Sequence, residues 1–399
     1  MKLAKYVGAQ RSKAPAGVAK SVGGQRSKVL DVVAGILCGA PVAALLSFSR
    51  VQPQLLERLH AGPSLGGLLQ AVAILTIVPG VWLMGHVERG IGSRHLIRTG
   101  VVSLGVVVAL LPHLPGLAWT FVAAAVIGLL CARVEGPVRH LLAASVDDAA
   151  DRKAQSALLT GSFALGVFGL LGVLTLLTGQ FGLSIAMAVL GAVLVVLGIV
   201  VPARLPAAQV EDAEQRVSMR TVLGDPIART AIAQYLIQGL AYGIWIGPLA
   251  TLLAGHGHGP NTVALFGFDG LVSFVVFLVL DRLRRKISGR VATFGFLAGQ
   301  IIAASSLFAG VPLVAVLLIG MVTEDVSTNA LSSDCNDRME GATAKSLGFS
   351  ARQFGVAVGV YAGGSAYAAF SDIGIFASGI AVTAALCVPL ALRMHRQHH

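Results

Sequence analysis

The sequence predicts an all-α membrane protein of twelve transmembrane helices in two pseudo-symmetric six-helix bundles. Three observations lead there. Of 399 residues, 55% are hydrophobic and only 12% charged, about half the charge of a soluble domain, and the mean hydropathy is +0.79. Runs such as 163–177 and 181–201 stay apolar on every face, whereas the strands of a membrane barrel alternate apolar and polar residues. The longest polar interval between apolar segments, 202–230, divides them six and six. At about 20 residues per span, twelve spans use about 240 residues and leave no room for a large soluble domain.

Taken in order, residues 1–28 carry seven Lys/Arg, no acids and a near-duplicate heptapeptide, VGAQRSK at 7–13 and VGGQRSK at 22–28. With few large apolar residues this stretch predicts a disordered basic tail rather than a cleaved signal. Apolar segments follow at 29–49, 65–86, 96–114, 118–140, 155–178 and 181–202, the expected amino-terminal bundle (29–202). A linker at 203–228 separates it from segments at 229–253, 261–281, 290–309, 311–332, 345–369 and 373–393, the expected carboxy-terminal bundle (229–393), before a short tail at 394–399. With the amino terminus in the cytoplasm, only Arg50 and Arg58 of the 30 Lys+Arg fall outside, while Arg133, Arg139 and Arg352 lie within spans. The positive-inside rule therefore predicts a multi-pass protein of the inner cell membrane with both termini cytoplasmic.

That topology accounts for the net charge of +11 without a nucleic-acid partner, which would require the basic residues on one aqueous face. Cys38, Cys131, Cys335 and Cys387 lie in or beside apolar segments without metal-ligand spacing, so they are read as small hydrophobes. His256 and His258 form a weak pair at best, and no metal or other cofactor is expected. HExxH and GxxxxGK[ST] motifs are absent, and the one GxSxG match, Gly62 to Gly66, lies before a span instead of at a strand-to-helix elbow. The chain is not expected to be an enzyme.

The halves resemble each other at an offset of 189 residues, which puts Glu135 on Glu324, Asp148 on Asp337, Asp151 on Glu340 and Gly166 on Gly355. An acidic-basic pair recurs at Glu88-Arg89 and Asp281-Arg282, at an offset of 193. Parallel repeats of this kind imply a binding site between halves.

The stretch 85–94 reads GHVERGIGSR and 281–286 reads DRLRRK. Both resemble the cytoplasmic signature of the major facilitator superfamily, roughly GxxxDRxGRR, although the first has Glu for Asp and one extra residue. Segment eleven, with Arg352-Gln353, Gly355 and Gly359, is similar to the RQxGxxxG segment of its drug-exporting members. The resemblance implies a secondary transporter in which two bundles rock about a central cavity, many members being driven by protons or other ions. Expected partners are a small-molecule substrate, a proton or another coupling ion, and the lipid bilayer; the chain is expected to be a monomer.

Charges within spans are costly enough to be candidates by that fact alone, at least about 2.5 kcal/mol each near the bilayer centre. Glu324 and Asp325 are neighbours about twelve residues into segment ten, where two carboxylates resist ionising together, so one readily holds a proton for coupling. The alternative is that Glu324 pairs structurally with Arg352. Glu135 and Arg139 have the favourable order for a helical ion pair; Arg133 falls nearly opposite Glu135 and is a candidate cavity or inter-helix residue. Asp269 between glycines is either a proton or cation site or the wall of a watery vestibule. Glu88, Arg89, Arg94, Asp281, Arg282 and Arg285 are candidates for a cytoplasmic gate, closing through contacts with the partner bundle's helix ends, or else a loop that only sets topology. Gly355, Gly359 and Gly363 at four-residue spacing, and Gly166, Gly169 and Gly172 at three, form small faces for close helix packing. Three functions are compatible: proton-coupled export of amphiphilic or drug-like molecules, facilitated uptake of a polar metabolite, or a non-transporting scaffold or sensor.

Overall fold

The computed structural model describes residues 28–58, 63–134, 137–138, 149–205, 219–246 and 342–382, with isolated positions in 295–319 and at 385. Among them are nine helices: α1 Lys28–Arg58, α2 Pro63–Ile91, α3 Ser93–Leu110, α4 Leu117–Cys131, α5 Ala149–Phe181, α6 Leu183–Arg204, α7 Met219–Gly224, α8 Pro226–Ile246 and α9 Ala342–Val382. A single 3-10 turn, Leu111–His113, follows α3, and no strand occurs among the described residues. Expected segment eight and all but isolated positions of segments nine and ten, and with them Asp269, Asp281, Arg282, Arg285, Glu324 and Asp325, lie outside the described residues. So do Glu135 and Arg139.

Several helix ends differ from expectation. The stretch read as a loop after segment two is helical to Ile91 and breaks only at Gly92, whose φ of 77° a glycine adopts freely. Segment four was expected to run to residue 140, but α4 stops at Cys131 and the chain turns through 132–134. Pro137 supplies the reason, because its ring obstructs the carbonyl four residues back and it has no N–H to donate. In the linker, α7 is followed by Asp225, whose carboxylate accepts from the Ile227 N–H at 3.0 Å and so caps α8, with Pro226 in the first helical position.

Segments eleven and twelve are joined in α9 across a kink at Ser371, with φ 56° and ψ −155°. Segments five and six part at Gly182, with φ 82° and ψ 167°. These two residues are 189 apart, so the offset that relates the halves in sequence also relates their sharpest turns.

The packing obeys the same relation. In α1 and α5, a Cβ on Gly39 would collide with the Phe163 carbonyl and lie 2.8 Å from Val167 N, and one on Gly166 would lie 2.6 Å from Ile36 O. In α8 and α9, Gly239 meets the Arg352 carbonyl and Val356 N, and Gly355 meets the Leu236 carbonyl. Moving 200 residues along the first helix and 189 along the second converts one set of contacts into the other. Both crossings are parallel and bring backbone against backbone, as small residues permit in lipid. Of the glycines expected to form small faces, Gly355, Gly359 and Gly363 all meet α8, whereas Gly169 meets nothing within 4 Å among the described residues. A three-residue step falls about 60° short of a turn, which carries the later glycine off the contact face.

Helix directions alternate as in a serpentine chain: α2 and α4 cross in parallel through Gly80 and Gly128, and α3 and α6 antiparallel through Gly105, Gly191 and Gly198. The Thr76 hydroxyl, 2.9 Å from Ala73 O and 3.0 Å from Ala125 O, adds a polar tie between α2 and α4. One apolar core runs from α1 through α6 and takes in Ile244, Val356, Ala357 and Val360 of α8 and α9. Outward, α9 presents Phe354, Val358 and Tyr361 and α6 presents Ile185, Val196 and Ile199, an apolar exterior suited to acyl chains. Three helices among the described residues, Ser93–His113, Gly161–Phe181 and Leu183–Arg204, are long and apolar enough to cross a membrane.

Candidate functional site

Two of the sequence-selected arginines reach the interior. Arg133 sits in the turn that ends α4 and lies against Gly100 of α3, where a Cβ would be 2.9 Å from the arginine Cβ and 3.6 Å from its Cδ. The bare glycine is what leaves room for the stem. Arg352 is carried by α9; its guanidinium lies over the Tyr242 ring of α8, 6.0 Å from the centroid, within the range of a cation–π contact. The Nε atoms of both arginines are buried and have no hydrogen-bond partner among the described residues. The structure thus leaves Arg352 with an unfilled donor, while Glu324, its expected partner, lies outside the described residues.

The gate candidates divide differently. Arg94, in the first turn of α3, donates from Nη2 to the Leu205 carbonyl where α6 ends. A cation over the carbonyl end of a helix is favourable, and this bond ties two helices of the same half. Glu88 and Arg89 belong to the last turn of α2, whose backbone alone is described there.

Sequence reasoning missed four buried polar side chains. Gln70 on α2 is fully buried with neither Oε1 nor Nε2 bonded, Gln238 on α8 is in the same state at 6% exposure, and Gln234 Oε1 and Ser350 Oγ are likewise unbonded among the described residues. A buried polar atom without a partner costs about 1–3 kcal/mol, so an interior holding several is built to receive water or a ligand. Formal charge was the signal followed in the sequence; a glutamine within an apolar run, and a second one four residues away, would have served equally. Gln234, Gln238 and Tyr242 recur at four-residue spacing along one face of α8. Gln70 stands one turn from Gly67, where a Cβ would lie 3.8 Å from Val360 O of α9, the place where α2 of the first half packs against the second. No group of three or more His, Cys, Asp or Glu able to hold a metal occurs among the described residues.

The family model of the Major Facilitator Superfamily matches residues 32–360, most of the chain and parts of both halves. The chain belongs to the major facilitator superfamily. It is therefore an all-α membrane transporter that handles small-molecule substrates in a lipid bilayer, and members of this superfamily are generally transporters, not enzymes. The comparison with curated proteins returned no match.

Proposed function

We propose that the chain is a secondary active transporter working by alternating access, and that it couples proton entry to export of small amphiphilic or drug-like molecules across the inner cell membrane. The observation that carries this reading is the pair of half-buried arginines, Arg133 and Arg352, whose Nε atoms are buried and without a hydrogen-bond partner among the described residues. An inert scaffold would gain nothing from them, since desolvating a charge is costly. Export is favoured by the RQxGxxxG-like stretch at 352–359 and by the apolar interior. Coupling is assigned to Glu324 and Asp325, with Glu135, Arg139 and Asp269 as further candidates. Glu88, Arg89, Arg94, Asp281, Arg282 and Arg285 are assigned to a cytoplasmic gate, and the protein is taken to be a monomer with both termini cytoplasmic.

A second reading, facilitated uptake of a polar metabolite, is favoured by the unbonded amides of Gln70, Gln234 and Gln238. Transport by proteoliposomes under an imposed pH gradient separates the two. Export coupled to protons predicts accumulation that follows the gradient and disappears in the Glu324→Gln, Asp325→Asn double variant. Wild-type transport by that variant rejects the coupling assignment, and gradient-independent equilibration selects facilitation.

A further inference from the structure

The two halves supply an internal control for every polar residue in the second. The α1/α5 and α8/α9 crossings have the same backbone contacts, Gly39 against Phe163 and Val167 matching Gly239 against Arg352 and Val356. In the first crossing the positions equivalent to Gln234, Gln238, Tyr242 and Arg352 hold Ala34, Cys38, Val42 and Phe163. Close packing of such a pair is thus achieved without a single amide, phenol or guanidinium. The polar set in the second half is an addition that packing does not require.

Its parts lie together. The guanidinium of Arg352 rests over Tyr242; Gln238 is one turn from Tyr242 on the same face of α8; and Gly239, the next residue, touches the Arg352 backbone. Gln234 extends the row by one more turn, at 4% exposure. Among the described residues the unfilled donors are Arg352 Nε and Gln238 Nε2, and the unfilled acceptors are the Oε1 atoms of Gln234 and Gln238. A cation with a neighbouring amide donor is suited to a carboxylate, whose two oxygens accept two N–H groups at once. Tyr242 under the guanidinium and Phe349, one turn before Arg352 on α9, are partly buried apolar bodies packed on the common core.

We propose that the Arg352–Gln238 seam between α8 and α9 is a carboxylate-recognising site, so that the cargo is a small carboxylate with an apolar body. The inference rests on the transporter reading only in taking the bound molecule to be cargo; binding itself needs no ion gradient.

The test is calorimetric titration of the purified full-length protein in detergent with phenylbutyrate, phenylbutylamine and phenylbutanol, corrected against empty micelles. These probes share an apolar body and differ in head group. Phenylbutyrate is expected to bind at least about tenfold more tightly than the others, about 1.4 kcal/mol. Gln238→Leu, which restores the apolar character of the first half, is expected to weaken it by about threefold to tenfold, and Arg352→Gln by more, with Arg352→Lys between. Equal binding of the three probes, no binding of phenylbutyrate by the wild type, or wild-type affinity in Gln238→Leu overturns the proposal. Gel filtration and melting temperature check each variant, and if Arg352→Gln does not fold, Gln238→Leu decides. Titration without a gradient reads carboxylate recognition and proteoliposome transport under a gradient reads coupling, so the failure of one is distinguished from the failure of the other.

Discussion

Replacing Gly355 by alanine adds one methyl group at the closest approach of α8 and α9, and the structure sets its price. The new Cβ would collide with the Leu236 carbonyl and lie 2.8 Å from Leu240 N. Both are backbone atoms, so no side chain can turn aside. Ordinary van der Waals contact begins near about 3.4 Å, so the helices must part by about 0.6 Å or more, enough to forfeit a quarter to a half of each dispersion contact along the seam. With about 0.1–0.2 kcal/mol per atom pair and about twenty pairs disturbed, the loss falls near 0.5–2 kcal/mol, overlapping the range of about 1–3 kcal/mol for overpacking a tight core. The control is Gly169→Ala, where the new methyl meets nothing among the described residues and the gain in helix propensity is worth about 0.5–1 kcal/mol. Both alanines gain that propensity, so they should differ by the clash alone, about 1–3 kcal/mol with Gly355→Ala the less stable. Unfolding each variant in a graded mixture of mild detergent and dodecyl sulfate, followed by circular dichroism, measures this. Equal midpoints for the two variants would refute the claim that backbone contact at Gly355 holds the helix pair together.

Two further substitutions address the turns and the helix ends. Ser371 holds a positive φ at the position where the first half has Gly182, so Ser371→Gly should relieve strain and raise the melting temperature, with a net gain of about 1 kcal/mol after the added freedom of the unfolded chain; an unchanged or lower value argues against strain at this kink. Arg94→Ala removes the donor over the Leu205 carbonyl and should cost about 0.5–1 kcal/mol, read as a lower melting temperature, with Arg94→Lys recovering part of the loss. Arg94→Ala as stable as wild type would mean that the tie contributes nothing to holding α3 on α6.

Hydropathy made much of this architecture legible because a span must be apolar all round, whatever its neighbours. The break at Ser371 falls between the expected segments 345–369 and 373–393, and the one at Gly182 falls just inside 181–202, because the preceding helix runs on to Phe181. The helix end at Cys131 was harder, since residues 118–140 read as one apolar run and only Pro137 marks the stop. At 85–94 the charges suggested a loop, yet a helix that has left the apolar layer continues as long as nothing breaks it, and here nothing does until Gly92. The offset of 189 was visible from Gly166 and Gly355, but not its companion of 200 between α1 and α8, because the matched positions there are Ile36 with Leu236 and Gly39 with Gly239, unremarkable in so apolar a chain. The buried amides escaped for a related reason: glutamine carries no formal charge, and only the packing reveals that Gln70 and Gln238 are buried without a hydrogen-bond partner among the described residues.

The comparison between halves separates two demands that a transporter places on the same helices. Moving past one another in lipid requires smooth, close-fitting backbones, and two contact glycines recur in both halves at matching positions, Gly39 with Gly239 and Gly166 with Gly355. Holding a solute requires groups that the lipid environment penalises, and these do not recur: Phe163 fills the place that Arg352 takes, and Cys38 the place of Gln238. If the polar set served the crossing itself, the first crossing would need its own version, and it packs without one. The asymmetry therefore locates chemistry against a background of shared mechanics. The same reasoning extends to Arg133, whose place 189 residues on is taken by Val322, so that each half retains a cation at a point where the other has an apolar side chain.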